Sequence, residues 1–185
     1  MISLLPHTLR HCAPRVHPIT LSAVVMQESG GNPLLIHNNS SGQTCRPKSP
    51  GAAAALARQL IRQGDSVDLG LAQINSSNLS WLGLDVQTVF DPCRNLAAAQ
   101  TVLLDGWKRS GGNLRKTLAL YNTGKPDGAA GAKYAASVYS RAGWVIPAIS
   151  QTTAYTSTPP LRVKVEWTPA ASPLQPHGDA LTARW

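Results

Sequence analysis

Apolar residues recur along this chain at helical spacing, in segments separated by Gly and Pro. Pro18 suits a first helical position, and Gly30-Gly31 followed by Pro33 ends the helix it opens after roughly three turns. Within it Leu21, Val24, Val25 and Glu28 fall at i, i+3, i+4 and i+7, so the stripe facing the core terminates in an acid. Ser49-Pro50 opens a second helix through Leu56, Leu60 and Ile61, stopped by Gly64, which reads as packing alone. Asp91-Pro92 opens the longest, through Leu96, Ala99, Val102 and Leu103 to about Lys108, closed by Gly111-Gly112. Asn113 caps the next, where Leu114, Leu118, Tyr121 and Asn122 again form an apolar stripe ending in polar groups before Thr123-Gly124. A last helix from about Ala129 to Ala142 carries Tyr134, Val138 and Tyr139.

Extended structure is predicted in two places. Leu34-Leu35-Ile36 reads as a short strand, followed by a loop from Asn38 to Pro50. Residues 67–75 alternate, and as one strand they put Val67, Leu69, Leu71, Gln73 and Asn75 on one face with Asp68 on the other. Two amides then continue an apolar face, although an edge strand with polar residues at its wet end reads equally well. Asn75 also suits the cap of a short helix through Leu79 and Trp81. From residue 147 the composition turns to Pro, Thr, Ser and Ala without sustained period, so a domain over 1–146 and a disordered or loosely attached tail over 147–185 are expected.

With 185 residues, 43% of them hydrophobic and 14% charged, the chain can bury one sizeable core. A net charge of +8 implies an anionic partner: nucleic acid, a membrane surface or an acidic wall polymer. The densest basic cluster, Lys108-Arg109 with Arg115-Lys116, is interrupted by Ser-Gly-Gly-Asn and does not follow one helix face, which argues against nucleic acid. No apolar run approaches the roughly 20 residues that span a bilayer, and the first residues show no recognisable signal peptide. Cys12, Cys45 and Cys93 allow one disulfide and one thiol in any of three pairings. In an oxidising compartment Cys12–Cys93 is the pairing to expect, because each sits just before a predicted helix or in its first turn. Cys45, in a polar loop, is then free.

Glu28 is the leading candidate for chemistry. A carboxylate closing an apolar stripe is partly desolvated, which raises its pKa towards what a general acid needs near neutral pH. From this window alone it reads equally as a solvated helix-end residue or a paired core carboxylate. The chain's other glutamate, Glu166, lies in the tail. The cysteines and histidines show no metal-ligand spacing, and no cofactor is expected.

Four motifs follow one another: Glu28-Ser29-Gly30-Gly31-Asn32-Pro33, Asp68-Leu69-Gly70-Leu71-Ala72-Gln73-Ile74-Asn75, Asp91-Pro92-Cys93-Arg94-Asn95, and Ala119-Leu120-Tyr121-Asn122-Thr123-Gly124. Together they resemble the lysozyme-like lytic transglycosylases, most closely the VirB1-type members that accompany type IV secretion systems, over roughly residues 11 to 144. The resemblance implies a mainly α, lysozyme-like α+β fold, in which a helical domain carries a small β-hairpin element lining a glycan groove. It matches Glu28 to the family's catalytic glutamate, with Ser29, Gln73, Asn75, Tyr121, Asn122 and Tyr134 as substrate contacts. It implies cleavage of peptidoglycan to a 1,6-anhydro sugar by one acid without a cofactor, in the periplasm, beside components of a type IV secretion system. Cys12-Ala13-Pro14 also looks like the start of the mature domain in such proteins, which supports the Cys12–Cys93 pairing. The missing signal peptide and Cys45 depart from the family's pattern. A hydrolysing lysozyme and a lapsed peptidoglycan-binding scaffold are the alternatives.

Overall fold

A computed structural model describes residues 6–143. The tail expected from residue 147 lies outside the described residues. The order of elements is α1 (Pro6–Cys12), α2 (Pro18–Glu28), β1 (Ile36–Asn38), β2 (Thr44–Cys45), α3 (Pro50–Arg62), β3 (Val67–Leu69), β4 (Ile74–Asn75), a 3-10 turn (Ser76–Asn78), α4 (Pro92–Arg109), α5 (Leu114–Thr123) and α6 (Ala129–Arg141). The fold is α+β and lysozyme-like: helices around one core, with a small antiparallel sheet on one side. No helix among the described residues is long and apolar enough to cross a membrane.

The predicted helices form where their caps lie. Ser49, Asp91 and Asn113 accept hydrogen bonds from the backbone N–H groups of Ala52, Arg94 and Lys116, and Gly124 closes α5 in the left-handed conformation. The stripe of α2 is buried: Leu21, Val24 and Val25 are fully enclosed and join Leu69, Leu96, Leu118 and Val138 in a continuous core. α6 lies against α5 and α2, and α4 packs on α5. Gly131 makes the α5–α6 approach possible, since a Cβ there would stand 2.6 Å from that of Ala119.

The β region departs from expectation. Residues 67–75 are not one strand but a hairpin, because Gly70 and Gln73 take positive φ (79° and 49°) and turn the chain back on itself. Asp68 and Asn75, expected on opposite faces, become cross-strand partners. The strand expected at 34–36 begins at Ile36, where pairing with Leu69 of β3 and Cys45 of β2 becomes available. β2 itself falls inside the expected loop. The sheet runs β2-β1-β3-β4. The helix expected after Asn75 is a single 3-10 turn, although Asn75 does cap it by accepting from the Ser77 N–H.

α1 was not legible in the sequence. At seven residues it is too short to be stable by propensity, and Leu9 buried against the core with packing on α4 and α2 accounts for it. Cys12 therefore ends α1 and does not immediately precede α2. A disulfide joins it to Cys93 in the first turn of α4, and Cys45 is free.

Candidate active site

A cleft of about 420 Å³ opens between the sheet and the helices. Glu28 lines it from the end of α2, Asp68 from β3, Gln73, Ile74 and Asn75 from the turn and β4, Val102 from α4, and Tyr121 and Asn122 from the end of α5. Both apolar stripes that end in polar residues thus end at the same place. The described residues hold no group of His, Cys, Asp and Glu that could bind a metal ion.

Glu28 is half-buried, and loss of solvent around its carboxyl is the main influence on it. Burial pushes its pKa from 4.5 to about 7; the Tyr134 hydroxyl, which donates to Oε1, pulls it down, and the negative charge of Asp68 pushes it up. A carboxyl in this setting carries its proton through much of the neutral range. Burial raises the pKa of Tyr134 and of Tyr121 well above the usual phenol range, so both remain neutral donors. Their rings stack with centroids 6.5 Å apart.

Among the described residues Asp68 is held by amides and by no cation: Asn75 Nδ2 donates to Oδ1 at 2.7 Å and Asn39 Nδ2 to Oδ2 at 2.9 Å. The lining of the cleft thus carries two carboxyl groups and no Lys, Arg or His, in a protein that is otherwise strongly basic.

The remaining expected contacts divide. Asn122 is exposed in the cleft with no hydrogen-bond partner among the described residues, leaving its amide available. Gln73 lines the cleft but spends its Nε2 on the Leu35 and Gly70 carbonyls, at 3.2 and 2.8 Å. Asn75 spends its amide on Asp68, Ser66 and the Ser77 N–H. Tyr121 donates to the Ala72 carbonyl at 2.7 Å. Tyr134 stands behind Glu28, outside the cleft lining, as does Ser29, whose hydroxyl caps α2 by donating to Val25 O and accepting from Gly31 N. Asp68 is the cleft residue that alternation concealed; its cross-strand register with Asn75 is legible only once Gly70 is read as a turn.

The family described as "Transglycosylase SLT domain" matches residues 9–145. Protein virB1 of Agrobacterium fabrum is 37% identical over 123 residues, covering 62% of this chain and 49% of that protein. Protein virB1 of Rhizobium radiobacter is 36% identical over 126 residues, 64% of this chain and 52% of that protein. Type IV secretion system protein virB1 of Brucella abortus is 37% identical over 101 residues, 55% and 42% of the two chains. The chain thus spans about half the length of the curated relatives it matches. No solved structure matches.

Proposed function

The chain belongs to the transglycosylase SLT domain family, and from that premise we propose that it is a peptidoglycan lytic transglycosylase. It cleaves the β-1,4 bond between N-acetylmuramic acid and N-acetylglucosamine and leaves a 1,6-anhydro end. The observation that carries this reading is a carboxyl whose proton burial retains up to about pH 7, at the wall of a cleft lined largely by amide and hydroxyl side chains.

In this mechanism Glu28 delivers its proton to the bridging oxygen, so that the leaving sugar departs as a neutral alcohol. The substrate's acetamido group stabilises the cation that develops at the anomeric carbon. The Glu28 carboxylate then takes the proton of the 6-hydroxyl as that oxygen closes on the anomeric carbon. Proton and charge return to their starting state, and one acid serves both steps. Tyr134 donates to the ionised form and limits the cost of the intermediate anion. Asn122, whose amide has no partner among the described residues, and Gln73, Asn75 and Tyr121 serve as contacts along the glycan, and Ser29 secures the end of α2.

Asp68 supports a second reading. Glycosidases that use water employ two carboxyl groups flanking the scissile bond, and Asp68 lines the same cleft as Glu28. In a hydrolysing muramidase Asp68 would assist water in place of the 6-hydroxyl. Mass spectrometry of the muropeptides released from purified sacculi separates the two, because the anhydro product is lighter than the hydrolytic one by one water. Reducing ends alone would overturn the transglycosylase assignment.

The relatives from Brucella bear the name type IV secretion system protein, and local opening of the wall for such an apparatus is the role we assign here. The Cys12–Cys93 bridge supports a periplasmic location, since disulfides persist in oxidising compartments. The domain boundary near residue 146 belongs to the same proposal: a chain ending at Ile146 should retain wall cleavage.

A further inference from the structure

The turn joining β3 to β4 is a loop inside the core. Gly70, Leu71 and Ala72 are all buried, so their peptide groups cannot turn to water and need protein partners. Backbone groups serve Gly70, whose N–H donates to the Leu35 carbonyl at 2.9 Å and whose carbonyl accepts from the Gln73 N–H at 3.3 Å, and side chains serve Ala72. Asn95, in the first turn of α4, is 1% exposed; its Nδ2 donates to the carbonyls of Leu69 and Val89 at 3.0 and 2.8 Å, and its Oδ1 accepts from the Ala72 N–H at 2.8 Å. The fit is close, for a Cβ on Gly70 would lie 2.4 Å from that Nδ2.

Ala72 is consequently gripped at both ends of its backbone. Asn95 holds its N–H, and the Tyr121 hydroxyl holds its carbonyl. Tyr121 stacks on Tyr134, and Tyr134 donates to Glu28. The same turn sets Gln73 at φ 49°, the one positive φ outside glycine among the described residues, and a strained backbone persists only where its surroundings impose it. Asn95 itself does not line the cleft.

We infer that Asn95 is a positioning residue for glycan cleavage: it touches no substrate, but by fixing Ala72 it fixes Tyr121, and through the stacked tyrosines it sets the place and the dryness of the Glu28 carboxyl. A role confined to fold stability would leave the folded fraction fully competent. A positioning role predicts a folded enzyme with a misplaced, better-hydrated acid. The titratable groups acting on Glu28 are Tyr134 from α6 and Asp68 from β3, Glu28 itself acts on Tyr121 of α5, and substituting Asn95 replaces none of these side chains.

The test is Asn95→Ala, with Asn95→Ser in reserve should the first not fold, assayed on soluble glycan strands released from sacculi. The expected result is a loss of kcat on the order of 10²-fold, the scale of a small misplacement of a reacting group, with KM within about threefold of wild type. The midpoint of the alkaline limb should move to lower pH as water reaches the carboxyl. Because the inference rests on the transglycosylase reading, Glu28 is also titrated directly by carbon NMR in both proteins. A lowered midpoint there supports positioning even if wild type cleaves nothing, an outcome that would sink the activity assignment alone. A folded variant with wild-type kcat and an unmoved Glu28 midpoint overturns the inference. So does a fall in kcat that merely tracks the folded fraction, or failure of both variants to fold.

Discussion

Tyr134 donates a hydroxyl hydrogen bond to Oε1 of Glu28 across 106 positions of sequence, joining α6 to the end of α2. The bond favours the ionised carboxylate while burial favours the neutral acid, and burial is the larger influence. Removing the hydroxyl should therefore raise the Glu28 pKa above about 7 and move the alkaline limb of the pH–rate profile upward. Tyr134→Phe should also lower turnover, by about tenfold, since the anion formed after proton transfer loses its donor. The pH dependence of kcat on glycan strands checks both; a limb that moves down would contradict the assigned sign.

Glu28→Gln should lower wall cleavage by at least about 10²-fold, because the amide is nearly isosteric but delivers no proton. Release of muropeptides from sacculi by the purified variant is the measurement, and activity within tenfold of wild type would refute the assignment.

The same substitution has a signature in stability. The folded pKa of Glu28, about 7, lies above its ordinary 4.5, so its contribution is fully present below about pH 4.5 and is lost as pH rises through 7. The penalty reaches about 3 kcal/mol at high pH, at 1.36 kcal/mol per unit. Glu28→Gln should match wild type near pH 4 and be the more stable protein at pH 8. Urea unfolding at the two pH values tests it.

Asn122 and Gln73 should separate. The exposed amide of Asn122 has no hydrogen-bond partner among the described residues, so Asn122→Ala should change stability by less than about 0.5 kcal/mol while lowering turnover more than sacculus binding. Gln73→Ala forfeits two hydrogen bonds to buried carbonyls, and should cost about 1–2 kcal/mol as well as activity. Thermal unfolding beside a sacculus-binding assay distinguishes them; equal stability losses would show that Asn122 is also structural.

The Cys12–Cys93 bridge spans a sequence separation of 81, for which chain entropy gives about 4.5 kcal/mol. Non-reducing peptide mapping should recover that bridge with Cys45 alkylated. Reduction should lower the unfolding midpoint substantially. Three free thiols in natively expressed protein would contradict the pairing and remove the support it gives to the proposed compartment.

What the sequence determined by itself was mostly local. Helix starts at Pro18, Ser49-Pro50, Asp91-Pro92 and Asn113 depend on side chains that satisfy backbone groups within a few residues, and such signals need no distant partner. The stripes ending in Glu28 and in Tyr121-Asn122 were legible for the same reason, since helical periodicity alone puts those groups at the edge of a core. Tertiary structure decided the rest. Alternation over 67–75 suits one strand, and only the positive φ of Gly70 and Gln73, compatible with a loop buried against Asn95, folds it into a hairpin and carries Asp68 into the cleft. Asn95 was legible only as the end of a motif and not in its role, because its three hydrogen-bond partners, Leu69, Ala72 and Val89, are set around it only by the packing of α4 beneath the turn. The acidity of Glu28 likewise belongs to the assembled core: periodicity places the carboxyl at the boundary, but the loss of water that lifts its pKa needs the packing of elements distant in sequence, α6 on α2 among them.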